Sequence, residues 1–305
     1  MSTRSEPGDG PGLDAVMSER RRLINLGYRL LGSLVEAEDV VQETYARWYA
    51  MSEPEQEAVE SPGAWLATVA SRICLNVLRS ARARRERYVG EWIPEPLPDA
   101  LTGWPDETVD PADRVTLDES VNMAFLVVLD SMTPAERVAF ILHDVFRYSF
   151  AEVGEIVGRT PAACRQLAST ARRRLRSGRI AAPPAARSAE IVHDFRQAWE
   201  AKDINALIAL LDPKATATAD GGGLALTFLR PIEGGERIAR AWVELANRVT
   251  SSLTIHERTV NGQPGLVAQE HGVTVTVFAF DVVDDRIMHI WVMRNPEKLR
   301  PWKTN

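Results

Sequence analysis

The chain has 305 residues, of which 45% are hydrophobic and 26% charged, and its formal net charge is −6. This length leaves room for two or three domains of about 100 to 200 residues each, and the composition is that of a globular protein. The sequence contains no run of about 18 apolar residues that would predict a membrane span, and the polar N-terminal tail has no signal-peptide pattern. We therefore expect a cytoplasmic protein without membrane contact.

The sequence has two cysteines, Cys74 and Cys164, and each lies within a helical pattern. Two thiols in such positions predict buried, reduced side chains rather than a disulfide framework or a metal site. We therefore expect no metal and no other cofactor.

The charge is distributed unevenly along the chain. Residues 79–87 contain five arginines and one glutamate, and residues 159–179 contain seven arginines and no acidic residue. Between them, residues 91–119 contain nine acidic residues and one arginine. Affinity for nucleic acid depends on local cationic patches rather than on net charge. The pattern therefore predicts two DNA-contacting modules joined by an acidic linker that could also repel or mimic DNA, although a merely solvated linker has the same composition. The prolines of residues 89–113 predict no regular structure there.

The helix predicted from Glu36 to Tyr49 has one apolar stripe and one acidic, polar face. That polar face carries Glu38, Asp39, Gln42, Glu43 and Arg47. An acidic face does not suit phosphate, so this helix is better suited to a protein partner than to DNA. The next helix begins after Pro62 and passes from apolar positions into the arginine tract of residues 79–87. Its aromatic and arginine side chains could hold an opened DNA strand, but the spacing of Trp65 is also typical of a core residue.

Residues 149–176 predict two capped helices separated by a short turn. Ser149 and Glu152 form a capping box, and Gly158 is suited to end the first helix. Thr160 and Pro161 then suit the start of the second helix. The polar face of that helix carries Arg165, Gln166, Ser169, Arg172 and Arg173. Such side chains can read bases and hold phosphates from the major groove, so we expect a helix-turn-helix, although an ordinary helical hairpin has the same pattern.

The C-terminal residues 188–305 differ in composition, since all four lysines and four of the five histidines lie after residue 190. Two helices are predicted first, with Asp203 capping the second, and they are followed by strands. The strands are expected at residues 216–219, 273–280 and 286–293, with a turn at Asp284 and Asp285. This order predicts an α+β domain with a curved antiparallel sheet.

The order of segments over residues 14–178 resembles that of bacterial sigma factors of the extracytoplasmic-function type, which have only the second and fourth sigma domains. The resemblance rests on AEDVVQETYARW, PGAWLATVASRICLNVLRSARARRE and RQLASTARRRLR. It implies two partners, namely promoter DNA and the RNA polymerase core, contacted at the beta-prime clamp helices and the beta flap. It also implies that the helix with the acidic face docks on the clamp helices.

Residue roles follow from this resemblance. Contact with core polymerase would involve Asp39, Gln42 and Glu43. Contact with the melted minus-10 element would involve Arg72, Asn76, Arg79, Arg82, Arg84 and Arg85, with Trp65 as a further stacking candidate. Reading of the minus-35 element would involve Thr160, Arg165, Gln166, Ser169, Arg172, Arg173 and Arg176.

The C-terminal part resembles the SnoaL-like members of the nuclear-transport-factor-2-like superfamily, a cone-shaped α+β fold with an internal pocket. Sigma factors with such an extension share a Trp-Leu-Pro-Glu-Pro linker and an Asp-Gly-Gly-Gly-Lys loop. This chain has Trp92-Ile93-Pro94-Glu95-Pro96 and Asp220-Gly221-Gly222-Gly223-Leu224. The resemblance implies a built-in regulator that docks through these residues and could hold a small-molecule ligand.

The expected organisation is a multidomain chain with two all-α sigma domains and one α+β domain. Its expected segments are a tail (1–13), the region 2 domain (14–88), a linker (89–113), the region 4 domain (114–178), a second linker (179–187) and the SnoaL-like domain (188–305).

Two other functions remain open at this point. The cone fold also hosts isomerases and cyclases, whose chemistry needs an acid or base beside an oxyanion donor. The C-terminal histidines that could serve are His193, His256, His271 and His289. A helix-turn-helix repressor with a ligand-sensing domain is the other alternative, and the AEDVVQE segment argues against it. We expect a sigma factor that is not an enzyme.

Overall fold

The computed structural model describes residues 19–85, 88–102, 121–178, 185–248 and 253–303, without the side chains of residues 81–85, 100, 102, 177 and 178. The expected tail 1–13 lies outside the described residues. So does the range 103–120, which contains most of the acidic stretch 91–119. Within the described ranges, no helix combines the length and the apolar character needed to cross a bilayer.

The N-terminal region is helical. Its elements are α1 (Arg20–Leu31), α2 (Leu34–Tyr49), α3 (Glu53–Glu57) and α4 (Pro62–Arg85). Gly32 ends α1 with a φ of 73°, a conformation that glycine adopts without steric cost. Ser33 then caps α2, because its side chain accepts a hydrogen bond from the backbone N–H of Glu36. This tight corner turns α2 back against α1.

The first linker is ordered where the structure describes it. Residues 93–97 are buried, and residues 99–102 form the short helix α5 (Asp99–Thr102). The expectation of a linker without regular structure is therefore wrong at α5. Pro98 also forms an isolated antiparallel bridge with Val260, a residue of the C-terminal domain. Tertiary contacts of this kind determine the linker conformation, and local sequence patterns do not record them.

Four helices follow, and the last two are the predicted pair. They are α6 (Met123–Asp130), α7 (Pro134–Phe140), α8 (Phe150–Val157) and α9 (Pro161–Gly178), with a π-helical turn at Ile141–Val145 after α7. The predicted capping box of Ser149 and Glu152 is present, and Gly158 ends α8 with a φ of 73°. The two helical regions share one hydrophobic core that extends from Leu23 to Leu175. The expected reduced cysteines are confirmed, since Cys74 and Cys164 are free and buried in this core.

The C-terminal domain is α+β, as expected. It contains α10 (Ala185–Glu200), α11 (Ile204–Leu210), β1 (Leu211–Asp220), β2 (Ile232–Glu233), α12 (Gly235–Arg248), β3 (Leu253–Val260), β4 (Gln263–Glu270), β5 (Val273–Val283) and β6 (Arg286–Met293). The six strands form one sheet in the order β2-β1-β6-β5-β4-β3. Helices α10 and α12 cover one face of the sheet with Phe195, Trp199 and Trp242.

The expected antiparallel sheet is wrong in one respect, because β1 and β6 run parallel. These strands lie at opposite ends of the domain sequence, and alternation within each strand does not record their relative direction. Strands β3 and β4 and helix α12 were not predicted. Asn261 and Gly262, with φ values of 52° and 73°, join β3 to β4, and an Asn-Gly pair between two strand-like segments is the signal that could have identified this hairpin.

Both faces of the central strands are covered. The second face packs in a smaller hydrophobic cluster with Ile93 of the linker, Met123 of α6 and Leu299 near the C-terminus. This explains why β5 and β6 have nearly continuous apolar sequences, since a strand buried on both faces loses its polar alternation. The linker and the second helical region are therefore packed on the C-terminal domain.

Candidate functional site

The candidate polymerase surface is the exposed face of α2. Asp39, Gln42 and Glu43 are all exposed there, whereas Val40 and Val41 on the other face are buried. Within the described residues, Glu43 pairs with Arg47 one turn later, at 2.9 Å. This is a surface ion pair, which contributes at most about 1 kcal/mol. The acidic face is thus accessible to another protein.

The minus-10 candidates divide into two groups. Arg72, Asn76 and Arg79 are exposed on one face of α4. Trp65 packs edge-on against Trp48, with ring centroids 5.3 Å apart, so it lies at the margin of the core. This position agrees with the interpretation of Trp65 as a core residue rather than as a residue that stacks on DNA bases. The side chains of Arg82, Arg84 and Arg85 lie outside the described residues.

Arg72 contacts the helix-turn-helix region directly. Its guanidinium donates a hydrogen bond to the backbone carbonyl of Glu155 in α8, at 3.2 Å. A residue expected to engage melted DNA is thus engaged by the other DNA-binding module. In this arrangement the two modules are in contact at α4.

The minus-35 candidates lie along α9. Thr160 caps the helix by accepting a hydrogen bond from the backbone N–H of Ala163 at 3.2 Å. Arg165 and Gln166 in the first turns are exposed, as are Arg173 and Arg176 further along, while Ser169 is half-buried. The guanidinium of Arg165 lies 5.2 Å from the ring centroid of Phe150. The start of α9 therefore presents Arg165 and Gln166 outward.

Arg172 differs from the other candidates on α9. Its Nε and Nη2 donate to the two carboxylate oxygens of Asp144, at 2.6 and 3.1 Å. A bidentate arginine–carboxylate pair is among the stronger charge-assisted contacts. Arg172 therefore ties α9 to the turn after α7, and the structure gives it an internal partner.

The contact between the two helical regions contains a buried charge. Arg137 of α7 is 2% exposed, and its Nη1 donates to Asp130 at 3.2 Å, whereas its Nε and Nη2 have no hydrogen-bond partner among the described residues. Burial lowers the pKa of Arg137 to about 10, and the carboxylate of Glu36 in α2 opposes that effect. A buried, unpaired donor costs about 1 to 3 kcal/mol. The contact between the helical regions is therefore imperfect by itself.

The linker docks on Asp220, the fully buried last residue of β1. The carboxylate of Asp220 accepts hydrogen bonds from the Tyr88 hydroxyl at 2.6 Å and the Ile93 backbone N–H at 3.0 Å. It also accepts one from the Lys298 ammonium at 2.7 Å. Burial, followed by the hydrogen bond to Asp220, raises the pKa of Tyr88 above its ordinary value, so this phenol remains a donor. Asp220 thus joins the linker to the C-terminal domain.

Lys298 holds the same stretch of linker from the other side. Its ammonium donates to the Ile93 carbonyl at 2.6 Å and lies 4.2 Å from the ring centroid of Trp92. Replacing one partner of such a buried pair leaves an uncompensated charge, which costs about 3 to 5 kcal/mol. Trp302 adds a hydrogen bond from its indole N–H to the Pro96 carbonyl at 2.8 Å.

The glycine loop of residues 221–223 lies beside the linker. A Cβ on Gly223 would be 3.2 Å from a side-chain carbon of Val89, and a Cβ on Gly222 would be 2.3 Å from the Asn295 amide nitrogen. Gly222 has a φ of 61°. These glycines therefore permit a close approach that a side chain would block. On the opposite side, Trp92 and Pro94 pack over Gly32 of the first helical region.

Asn261 contacts three parts of the chain at once. Its side-chain Nδ2 donates to the Tyr28 hydroxyl in α1 at 2.7 Å and to the Val121 carbonyl before α6 at 2.8 Å. Its Oδ1 accepts from the Leu97 backbone N–H at 3.0 Å, and its own N–H donates to the Leu97 carbonyl at 2.9 Å. The Tyr28 hydroxyl in turn donates to the Glu95 carbonyl at 2.7 Å. One turn residue thus links both helical regions and the linker.

Glu95 secures the linker to the start of α2. Its carboxylate accepts a hydrogen bond from the Leu34 backbone N–H. Burial raises the pKa of the Glu95 carboxyl, and this hydrogen bond opposes the rise. Glu95 was among the predicted linker residues, whereas no role was predicted for Tyr28, Tyr88, Asn261 or Lys298. Only Asn261 had a recognisable signal, its Asn-Gly turn, because the others act through contacts between distant segments.

Comparison with known proteins assigns the class. The family Sigma-70 region 2 matches residues 15–84, and the family Sigma-70, region 4 matches residues 122–175. These two regions define a sigma factor of the sigma-70 type. The chain is 36% identical to the ECF RNA polymerase sigma factor SigJ of Mycobacterium tuberculosis over 92% of this chain and 90% of that protein. It is 32% identical to the probable ECF RNA polymerase sigma factor SigI of that species over 93% of both chains.

The same relationship holds in three dimensions. The fold is similar to the crystal structure of the Mycobacterium tuberculosis extracytoplasmic function sigma factor SigJ, with a TM-score of 0.72 and 31% identity. The match covers 95% of this chain and 98% of that chain. The chain belongs to the extracytoplasmic-function RNA polymerase sigma factors, and the resemblance drawn from its sequence motifs is confirmed.

Proposed function

We propose that this sigma factor acts in the cytoplasm, where it binds core polymerase through Asp39, Gln42 and Glu43. It contacts promoter DNA through α4 and α9 and is regulated by its own C-terminal domain. The main support is a difference in the contacts that these exposed residues make. The acidic face of α2 is exposed, whereas Arg72 of the minus-10 set is engaged by the helix-turn-helix region. The factor is thus suited to meet polymerase before it meets DNA.

The core-binding assignment predicts the effect of charge reversal on α2. An Asp39→Arg, Glu43→Arg variant should fold normally, because both side chains are exposed, yet fail to assemble with core polymerase. The charge-matched control is Glu57→Arg, Glu60→Arg, which changes exposed acidic residues outside that face. Co-purification of each variant with core polymerase is the measurement. Wild-type recovery of the α2 variant would contradict the assignment.

The minus-35 assignment predicts two kinds of effect on α9. Arg165, near the start of the helix, is expected to read a base, so Arg165→Ala should cost about 1 to 3 kcal/mol and relax sequence preference. Arg176, near its end, is expected to hold phosphate, so Arg176→Ala should weaken all sequences alike and flatten the salt dependence. A promoter-library selection distinguishes these effects. The same unaltered preference for both variants would count against the assignment.

The regulatory part of the proposal depends on the imperfect contact between the helical regions. The two regions share a hydrophobic core, but Arg137 is buried there with two nitrogens that have no partner among the described residues, which lowers the stability of that contact. Asp220 and Asn261 of the C-terminal domain add buried hydrogen bonds to the linker and to α1. We infer that residues 188–305 hold the two sigma domains closed and inhibit promoter contact until they release. The test is to measure the distance between the sigma domains in solution before and after these contacts are broken.

A binding role for the C-terminal domain is favoured over a catalytic one. One of its cavities, of about 460 Å³, has no histidine among its described lining residues, and a neighbouring cavity of about 470 Å³ has one, His256. His193 instead pairs with Glu257 at the surface, at 2.8 Å, and His289 stacks on Trp291. We therefore assign no reaction to this sigma factor.

A further inference from the structure

The side chain of Arg165 lies against an aromatic pair at the start of the helix-turn-helix. Its guanidinium carbon lies over the ring of Phe150, the first residue of α8, at 5.2 Å from the ring centroid. The ring of Phe150 is also stacked with that of His143, with the centroids 3.8 Å apart and the planes at 25°. Phe150 therefore contacts both the exposed side of α9 and the π-helical turn after α7.

The fold holds this aromatic pair in place. Phe150 is half-buried and packs against the core of the helical regions. Its backbone neighbours are fixed by the capping box, in which the Ser149 N–H donates to the Glu152 carboxylate at 2.7 Å. The Nδ1 of His143 lies 2.8 Å from the Tyr148 carbonyl, and because a carbonyl oxygen only accepts, this nitrogen carries the proton. The ring of Phe150 is therefore a fixed surface against which a long, flexible side chain can pack.

The contact with Phe150 leaves the hydrogen-bond donors of Arg165 free. A guanidinium over an aromatic ring is attracted by the negative face of that ring, and this attraction uses none of its five N–H donors. Among the described residues, Arg165 has no ion pair and no side-chain hydrogen bond. Arg172 differs, because two of its donors are engaged by the carboxylate of Asp144. A bidentate contact with guanine needs two free donors, which Arg165 retains.

We propose that Phe150 is a positioning residue for sequence recognition, which holds the guanidinium of Arg165 ready to read one base pair of the minus-35 element. A long arginine side chain loses rotamer freedom when it binds a base, and a side chain that is already held loses less. The effect is confined to the base pair that Arg165 reads, because phosphate contacts elsewhere on α9 do not involve Phe150. This inference rests on the minus-35 role proposed above for α9.

The test uses holoenzyme reconstituted from core polymerase and the full chain. The probes are the DNA duplex that the wild-type factor selects from a promoter library and its three single substitutions at the base pair whose preference is lost in Arg165→Ala. Phe150→Leu removes the ring but keeps an apolar side chain, and it should lower discrimination at that base pair about two- to fivefold. Its affinity for an unrelated duplex should equal that of the wild type. Phe150→Tyr keeps the ring and should retain wild-type discrimination.

A double variant separates positioning from a general loss of structure. If Phe150 acts through Arg165, then adding Phe150→Leu to Arg165→Ala should change discrimination no further. Phe146→Leu is the matched control. Phe146 is also a half-buried phenylalanine beside the same core, but its ring has no aromatic or cation–π contact among the described residues. This control should discriminate as the wild type does.

Wild-type discrimination in Phe150→Leu, an equal loss in Phe146→Leu or in Phe150→Tyr, or a further loss in the double variant would overturn the positioning role. So would a loss of affinity in Phe150→Leu that is equal for every duplex. Each of these results would leave the minus-35 role of α9 standing. An unaltered sequence preference in Arg165→Ala would instead contradict the proposed function itself, and the positioning role with it.

Discussion

Replacing Asn261 with glycine is expected to release the linker from the C-terminal domain. Glycine retains the positive φ of this turn without strain but removes the side chain that pairs with Tyr28, Leu97 and Val121. Each buried group left unpaired costs about 1 to 3 kcal/mol. We therefore expect hydrogen exchange at the amides of Ile93, Glu95 and Leu97, the residues of 93–97 that have one, to accelerate roughly 10- to 100-fold, since about 1.4 kcal/mol corresponds to tenfold.

The matched control is His271→Gly in the turn between β4 and β5. His271 also has a positive φ, 51°, but it is exposed and lies in a turn away from the linker. Its replacement should leave exchange of residues 93–97 unchanged. Wild-type exchange in Asn261→Gly, or equal acceleration in both variants, would show that Asn261 does not secure the linker.

Replacing Gly222 with aspartate is expected to increase transcription from a cognate promoter several-fold per bound factor. The new Cβ would lie 2.3 Å from the Asn295 side-chain amide, which donates to the Tyr88 hydroxyl at 2.8 Å, so the clash should disturb the docking of Tyr88 on Asp220. Under the proposed closure, release of this segment should free Arg72 from α8, while the acidic face of α2 stays unchanged. Core binding should therefore equal that of the wild type. Run-off transcription beside a core-binding assay is the measurement.

Gly272→Asp is the control for backbone strain. Gly272 has a φ of 78°, and a Cβ there would meet no atom within 4 Å. The Gly272→Asp substitution imposes the same kind of backbone strain without a clash, so transcription by this variant should match that of the wild type. Lower or unchanged output from Gly222→Asp with normal core binding would contradict an inhibitory role for the docked loop.

The sequence predicted most of the helical regions because their signals are local. The capping boxes, the glycine at the end of α8 and the periodicity of α2 each involve residues within a few turns of one another. The C-terminal sheet was harder to predict. High β-propensity identified β5 and β6 despite their burial on both faces, but β3 and β4 were missed, and the parallel pairing of β1 with β6 joins segments at opposite ends of the domain.

The residues of the candidate sites also divide into those with a local sequence signal and those that depend on contacts between distant segments. The outward positions of Asp39, Gln42 and Glu43 follow from helical periodicity alone. The roles of Tyr88 and Lys298 depend on Asp220, which is more than 70 residues from each of them. No spacing rule connects such residues, so the anchoring of the linker required the structure.

The central claim is that the C-terminal domain holds the two sigma domains in one closed arrangement. The most direct test is the distance between them in solution, measured by pulsed electron resonance with spin labels on cysteines at Glu57 and Gln166. Both positions are exposed, whereas the native Cys74 and Cys164 are buried. We predict one narrow distance distribution for the otherwise wild-type chain and for Gly272→Asp, and a broad distribution at longer distances for Gly222→Asp. A broad distribution without any further substitution, or an unchanged narrow one in Gly222→Asp, would contradict the account.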